Sequence, residues 1–169
     1  MPLNPKILIY AFEPFGKYRS NTSARVLAAL PDHSDWYKAV LPVRFEAPIF
    51  LDFAQSVDAD YILGLGQCPR GKLIRIERKA FNWMGDRSSD LNQAIDDGPD
   101  SISCNWRIPV TSQRRDSYDA GRYVCNYSMY VLNRYAQAHG KKYAFLHIPK
   151  DYSVTGAARQ IQTILRTMV

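Results

Sequence analysis

Two side chains in the second half of this 169-residue chain have the types and surroundings that nucleophilic chemistry needs. Cys125 falls in the first turn of a helix predicted just after the turn Asp119-Ala120-Gly121. Cys125, Met129, Leu132 and Ala136 form an apolar stripe at helical spacing, and Gly140, Lys141 and Lys142 mark the stop. The stretch from Tyr143 to Ile148 then reads as a buried strand, with His147 near its carboxyl end and Pro149 closing it. A helix amino terminus favours a thiolate through its partial positive charge and free N–H groups. An imidazole at the end of the next strand could meet that thiol, and together they would make an activated nucleophile. On these residues alone a plainer account stays open: a small buried hydrophobe in the stripe and a hydrogen-bonded histidine at a strand rim.

The elements that must position this pair can be read in order. Residues 6–12, KILIYAF, predict a central strand broken by Glu13-Pro14-Phe15-Gly16. Asn21 or Thr22 can cap a helix over 23–30. A second strand is predicted over 36–43, with Pro42 pointing to an edge or an end. A helix over 46–56 and a third strand over 61–65, ended by Gly66, follow. The alternating stretch 73–81 predicts a strand that puts Glu77 on the face away from Ile76. Residues 83–100 read as a long loop, 101–110 as a strand or hairpin arm, and 111–118 as a polar, basic connection. A last helix is predicted over 155–168, with Ile161, Ile164, Leu165 and Met168 on its apolar face. Tyr123, Tyr127 and Tyr130 share a face of the Cys125 helix, and such a stripe reads as packing. Strands alternating with helices predict a three-layer α/β/α sandwich, with a mainly parallel, mixed sheet in one domain spanning 1–169.

Composition narrows the classes of function. With 46% hydrophobic and 22% charged residues, the chain has the make-up of a soluble globular protein. Lys and Arg number 22 against 16 Asp and Glu, a net +6. The basic residues are scattered, with Arg114-Arg115 and Lys141-Lys142 only pairs, so no nucleic-acid partner is expected. Three cysteines, Cys68, Cys104 and Cys125, are too few and too uneven for a disulfide framework and fit a reducing cytosol. No signal peptide or membrane span is read, so a cytoplasmic protein without a membrane partner is expected.

Several stretches occurring in order carry a resemblance to one family. They are AFEPFG (11–16), LPVRF (41–45), LGLGQCPRG (63–71), IRIERKAFN (74–82), DAGRYVCNY (119–127) and FLHIP (145–149). Together they resemble pyrrolidone-carboxylate peptidases, or type I pyroglutamyl peptidases, cytosolic cysteine exopeptidases that remove an amino-terminal pyroglutamyl residue. The resemblance implies Cys125 as nucleophile, His147 as general base and then acid, and Glu77 as the carboxylate that orients the imidazole. It implies a thioester acyl-enzyme, with the Cys125 N–H as an oxyanion donor. Phe12 and Phe15 would wall the flat lactam ring, with Tyr123 and Val124 completing the pocket and Asn21, Gln67 and Arg87 lining the site. Residue by residue there are plain alternatives: a helix cap at Asn21, a Glu77–Arg87 ion pair, and ordinary core at Phe12 and Phe15.

The partner so implied is a peptide with an amino-terminal pyroglutamate, and neither a metal nor another cofactor is called for. An uncharged lactam needs flat apolar walls and a few amide-reading hydrogen bonds. The segment between Pro99 and Ser117 is too short for the helix usual in the family there, and the stretch after Pro149 runs almost directly into the last helix. Ser88 stands where an apolar pocket residue is usual, and Arg44 sits in the LPVRF block. Some members make subunit contacts through the middle segment, so a homo-oligomer is compatible with the resemblance. The shortening also leaves a second expectation: a family-like protein, catalytically weak or inactive, that binds a ligand or partner.

Overall fold

A computed structural model describes residues 3–86 and 89–167. The elements run β1 (Ile7–Phe12), α1 (Thr22–Ala29), β2 (Trp36–Leu41), α2 (Ala47–Gln55), β3 (Tyr61–Cys68), β4 (Ile74–Glu77), β5 (Lys79–Phe81), β6 (Met84–Gly85), β7 (Asn92–Gln93), β8 (Ser101–Ser103), β9 (Arg114–Ser117), α3 (Val124–Ala138), β10 (Lys142–Pro149) and α4 (Val154–Thr167). Six strands form the central sheet in the order β2-β1-β3-β10-β4-β9. Every neighbouring pair is parallel except β10 with β4.

β1 is buried along its whole length, because both faces of the sheet are covered. Ile7, Ile9 and Ala11 point into one core with Val26 and Leu27 of α1 and Ile161, Ile164 and Leu165 of α4. Leu8, Tyr10 and Phe12 point into the other, with Phe50 of α2 and Met129, Leu132 and Ala136 of α3. This is the three-layer, mainly parallel sandwich that the sequence predicts, with period-2 alternation serving two cores at once.

Local chemistry sets the helix ends. Asn21 caps α1, its Oδ1 accepting from Ser23 N–H at 3.0 Å. Pro48 sits at the start of α2, where its missing N–H costs nothing. α3 stops at Gly140 with φ 67°, while Lys141 N–H bonds the Ala136 carbonyl at 2.8 Å and Gly140 N–H that of Gln137 at 3.4 Å. That is the left-handed C-terminal closure which only glycine forms at little cost.

Five expectations change. β3 does not end at Gly66 but runs to Cys68, paired with β10 up to Pro149. β2 stops at Leu41, at the sheet's edge, so Val43 lies beyond it. The alternating stretch 73–81 breaks at Arg78: β4 stays in the main sheet, whereas β5 leaves it to pair with β8. The polar 111–118 connection contains β9, the edge strand next to β4, and the predicted long loop contains the small β6–β7 hairpin. Arg78 holds the new edge, with Nε on Asp116 Oδ1 and Nη2 on the Ile108 carbonyl, both at 2.6 Å.

Candidate active site

The carboxyl ends of β1, β2, β3 and β10 all open on one side of the sheet, and β1 is the strand where the chain reverses direction. α1 leads to β2 on one flank, and α2 leads back to β3 on the other. Such a switch point leaves a crevice. Across it Gln67, near the end of β3, accepts a hydrogen bond at 2.8 Å through Oε1 from the N–H of Thr22 at the start of α1.

His147 and Glu77 meet through antiparallel register. Phe145 lies opposite Glu77, so His147, two residues on, shares its face of the sheet as a diagonal neighbour. The His147 ring donates through Nδ1 to Glu77 Oε1 at 2.8 Å. Both residues are buried, and Glu77 Oε2 has no hydrogen-bond partner among the described residues. The imidazole is therefore the group that answers the carboxylate's charge.

Cys125 comes onto the other side of the ring from the second position of α3. Its N–H is among the first-turn donors that no helical carbonyl can reach. Gly66 makes the approach possible. A Cβ there would lie 2.8 Å from Cys125 Sγ, 3.0 Å from His147 Cδ2 and 2.8 Å from Phe145 Cζ. Thiol and imidazole thus converge over one bare backbone position. Burial alone would lower the His147 pKa. The neighbouring Cys125 thiol in its charged form, the hydrogen bond to Glu77 and the Glu77 charge reverse that and raise it to about 10.

The other two thiols are placed differently. Burial raises the Cys68 pKa and pushes Cys104 up to about 12, whereas Cys125 alone of the three is only partly buried. Cys125 is therefore the least enclosed of the three, although it still packs against the core between the sheet and α3.

Beside Cys125 lies a narrow recess lined by Phe12, Phe15, Asn21, Val43, Gln67, Tyr123 and Val124. Six of these seven are residues singled out in the sequence; Val43 is not, although the LPVRF block contains it. Its signal was its place just past the end of a strand next to β1. Phe45 of the same block braces the wall, 5.5 Å from the Tyr123 ring and 5.4 Å from that of Tyr127. Asn21 spends its polar atoms locally, capping α1 and donating to the Glu13 carbonyl at 3.3 Å. Gln67 lines the recess with its Oε1 held by the Thr22 N–H. Arg87 and Ser88 lie outside the described residues. Among the described residues no cluster of His, Cys, Asp and Glu could hold a metal, and no helix is long and apolar enough to cross a membrane.

Known proteins give the same picture. No family model matches the sequence. The fold is similar to that of pyroglutamyl peptidase I from Bacillus amyloliquefaciens, with a TM-score of 0.86 at 20% identity over 98% of this chain and 95% of the other. It is also similar to the pyrrolidone carboxyl peptidase from Thermococcus litoralis, with a TM-score of 0.81 at 22% identity over 95% and 90%. A pyrrolidone-carboxylate peptidase from Saccharolobus islandicus is 28% identical over 85% of this chain and 78% of its own length. Identity reaches 30% against the pyrrolidone-carboxylate peptidase of Lactobacillus acidophilus, across 85% of this chain and 83% of that protein. Sequence likeness sustained over that span, on a shared fold, means that the chain belongs to the pyrrolidone-carboxylate peptidase family.

Proposed function

We propose that this protein is a cysteine exopeptidase that removes an amino-terminal pyroglutamyl residue through Cys125, His147 and Glu77. The observation that carries the reading is the His147 ring between a buried carboxylate and a helix-terminal thiol, at the edge of a small apolar recess. The Cys125 sulfur attacks the scissile carbonyl carbon, forming a C–S bond and an oxyanion. The Cys125 N–H and Gln67 Nε2 are the donors available to that oxyanion, and loss of one such donor typically costs about 10²–10³ in kcat. His147 gives the proton it carries on Nε2 to the leaving amine as the C–N bond breaks, leaving a thioester. The same nitrogen then takes a proton from water, whose oxygen attacks the thioester and frees Cys125 and pyroglutamate. Glu77 holds the Nδ1 proton and stabilises the imidazolium throughout.

Specificity follows from the recess. Phe12, Phe15, Val43, Tyr123 and Val124 offer flat or apolar walls to a lactam without charge. A free amino terminus or an ionised side chain would be desolvated there without a counter-charge.

The test offers pyroglutamyl, prolyl and glutamyl fluorogenic amides side by side under reducing conditions. Cleavage of the first alone is expected. Turnover should be abolished in Cys125→Ala, nearly abolished in His147→Ala and reduced less in Glu77→Gln. No cleavage of any amide, or equal cleavage of all three, overturns the proposal.

A further inference from the structure

The peptide on the leaving side of the scissile bond must pass close to His147, which protonates its new amino terminus. β10 carries His147 and continues to Pro149, with Lys150 next in the chain. At roughly 3.3 Å per extended residue, the Lys150 backbone lies about 10 Å beyond His147, the reach of two or three peptide residues. The position of Lys150 is fixed, because its N–H donates to the Cys68 carbonyl at 2.9 Å and its carbonyl accepts from Thr22 Oγ1 at 2.7 Å.

Lys150 does not stand alone. Its ammonium lies 5.9 Å from the centroid of the Tyr18 ring, and Lys17 Nζ lies 5.9 Å from the same centroid. Tyr18 packs edge-on against Phe15 at 5.8 Å, and Phe15 is a wall of the recess. Two exposed cations from distant parts of the chain thus gather at one ring beside the mouth. Lys150 has Asp151 at 3.8 Å, but that carboxylate is 89% exposed. Among the described residues no carboxylate comes within ion-pair reach of Lys17. Two ammonium groups close to one ring, with so little compensation, make a positive patch that attracts anions.

We propose that Lys17, Tyr18 and Lys150 form a subsite for acidic residues in the first positions after the scissile bond. The two ammonium groups take carboxylates, and the tyrosine ring backs the peptide. The proposal rests on the pyroglutamyl-peptidase reading and names the peptides that reading would favour.

The test uses pyroglutamyl-Glu-Glu-amide, pyroglutamyl-Ala-Ala-amide and pyroglutamyl-Lys-Lys-amide, whose blocked ends leave the side chains to vary the charge. At low salt kcat/KM should be about tenfold higher for Glu-Glu than for Lys-Lys and intermediate for Ala-Ala, with the difference shrinking as salt screens it. In the Lys17→Gln/Lys150→Gln double variant, whose changes lie on exposed side chains, the ratio should fall towards one. Equal rates in the wild type, or a preference that survives in the double variant, overturns the subsite. If the wild type cleaves none of the three, the catalytic reading fails instead, and calorimetric binding to Cys125→Ala then decides the subsite. Tighter binding of the Glu-Glu peptide that depends on both lysines sustains it, and equal or absent binding overturns it.

Discussion

At the scale of single residues, the position that most constrains the site has no side chain. A Cβ at Gly66 would enter the space held by Cys125 Sγ, Phe145 and the His147 ring. Overpacking of this kind costs about 1–3 kcal/mol, and a misplacement of about 1 Å can cost about 10² in rate. Gly66→Ala should therefore lower kcat by about a hundredfold while thermal melts show a folded protein; near-normal turnover would mean the pair tolerates displacement. His147 has a signature of its own. Its pKa is about 10 in the folded chain against 6.5 for the free side chain, so the imidazolium stabilises the fold. That contribution is complete below about pH 6.5 and is lost as pH rises through about 10. The melting temperature should fall across this window, and fall less in Glu77→Gln, where one cause of the shift is gone. The sequence itself pointed to Cys125 and His147, because a helix start and a strand end are written in local periodicity. Glu77 and the pocket walls came through the family blocks. Gly66 was misread as a strand stop, since a glycine required for close approach and one that ends a strand look alike until the neighbouring strand is known.

At the scale of elements, two polar ties hold the first turn of α3 where the sulfur is needed. Asn126, fully buried, accepts from Phe81 N–H at 2.9 Å and donates to the carbonyls of Phe81 at 3.0 Å and Trp83 at 2.9 Å. Asn82 repeats the device one step out, accepting from Ile95 and Asp96 N–H and donating to the Asp96 and Gly98 carbonyls. On the other side Ser128 donates to the Cys125 carbonyl at 2.8 Å, so its oxygen accepts from Tyr10, which in turn accepts from Tyr143. Asn126→Ala would leave the Phe81 N–H and the Trp83 carbonyl without partners, at about 1–3 kcal/mol for each buried group, while the Phe81 carbonyl keeps the Trp83 N–H at 2.8 Å. It should lower stability by about 2–4 kcal/mol by urea denaturation and reduce kcat more than it raises KM. Unchanged stability would show that water replaces the side chain. Neither asparagine pattern was legible beforehand, because side-chain clamps on backbone leave no periodic trace. β9 was missed for a related reason: Arg114-Arg115-Asp116-Ser117 carries no apolar alternation, and only the β4 edge and the Arg78 tie make it a strand.

At the scale of the whole molecule, the recess is lined by residues that become neighbours only when the sheet is complete. Phe12 follows from β1, Val43 from the end of β2, Gln67 from β3 and Tyr123 from the approach to α3. Its ligand can therefore bind the folded chain alone, and linkage turns binding into stability by RT ln(1 + [L]/Kd). Pyroglutamic acid amide, offered to Cys125→Ala so that no turnover intervenes, should raise the melting temperature. At ten times Kd the gain is about 1.4 kcal/mol, or roughly 3–6 °C for a chain of this size. Prolinamide has a ring of the same size, but its ring amine is charged near neutral pH, and it should shift the transition by less than about 1 °C because that charge finds no partner among the apolar walls. The contrast separates shape from chemistry: equal shifts would mean that the recess reads ring size alone. No shift with either would move the lactam out of the recess, whatever the triad does to other amides.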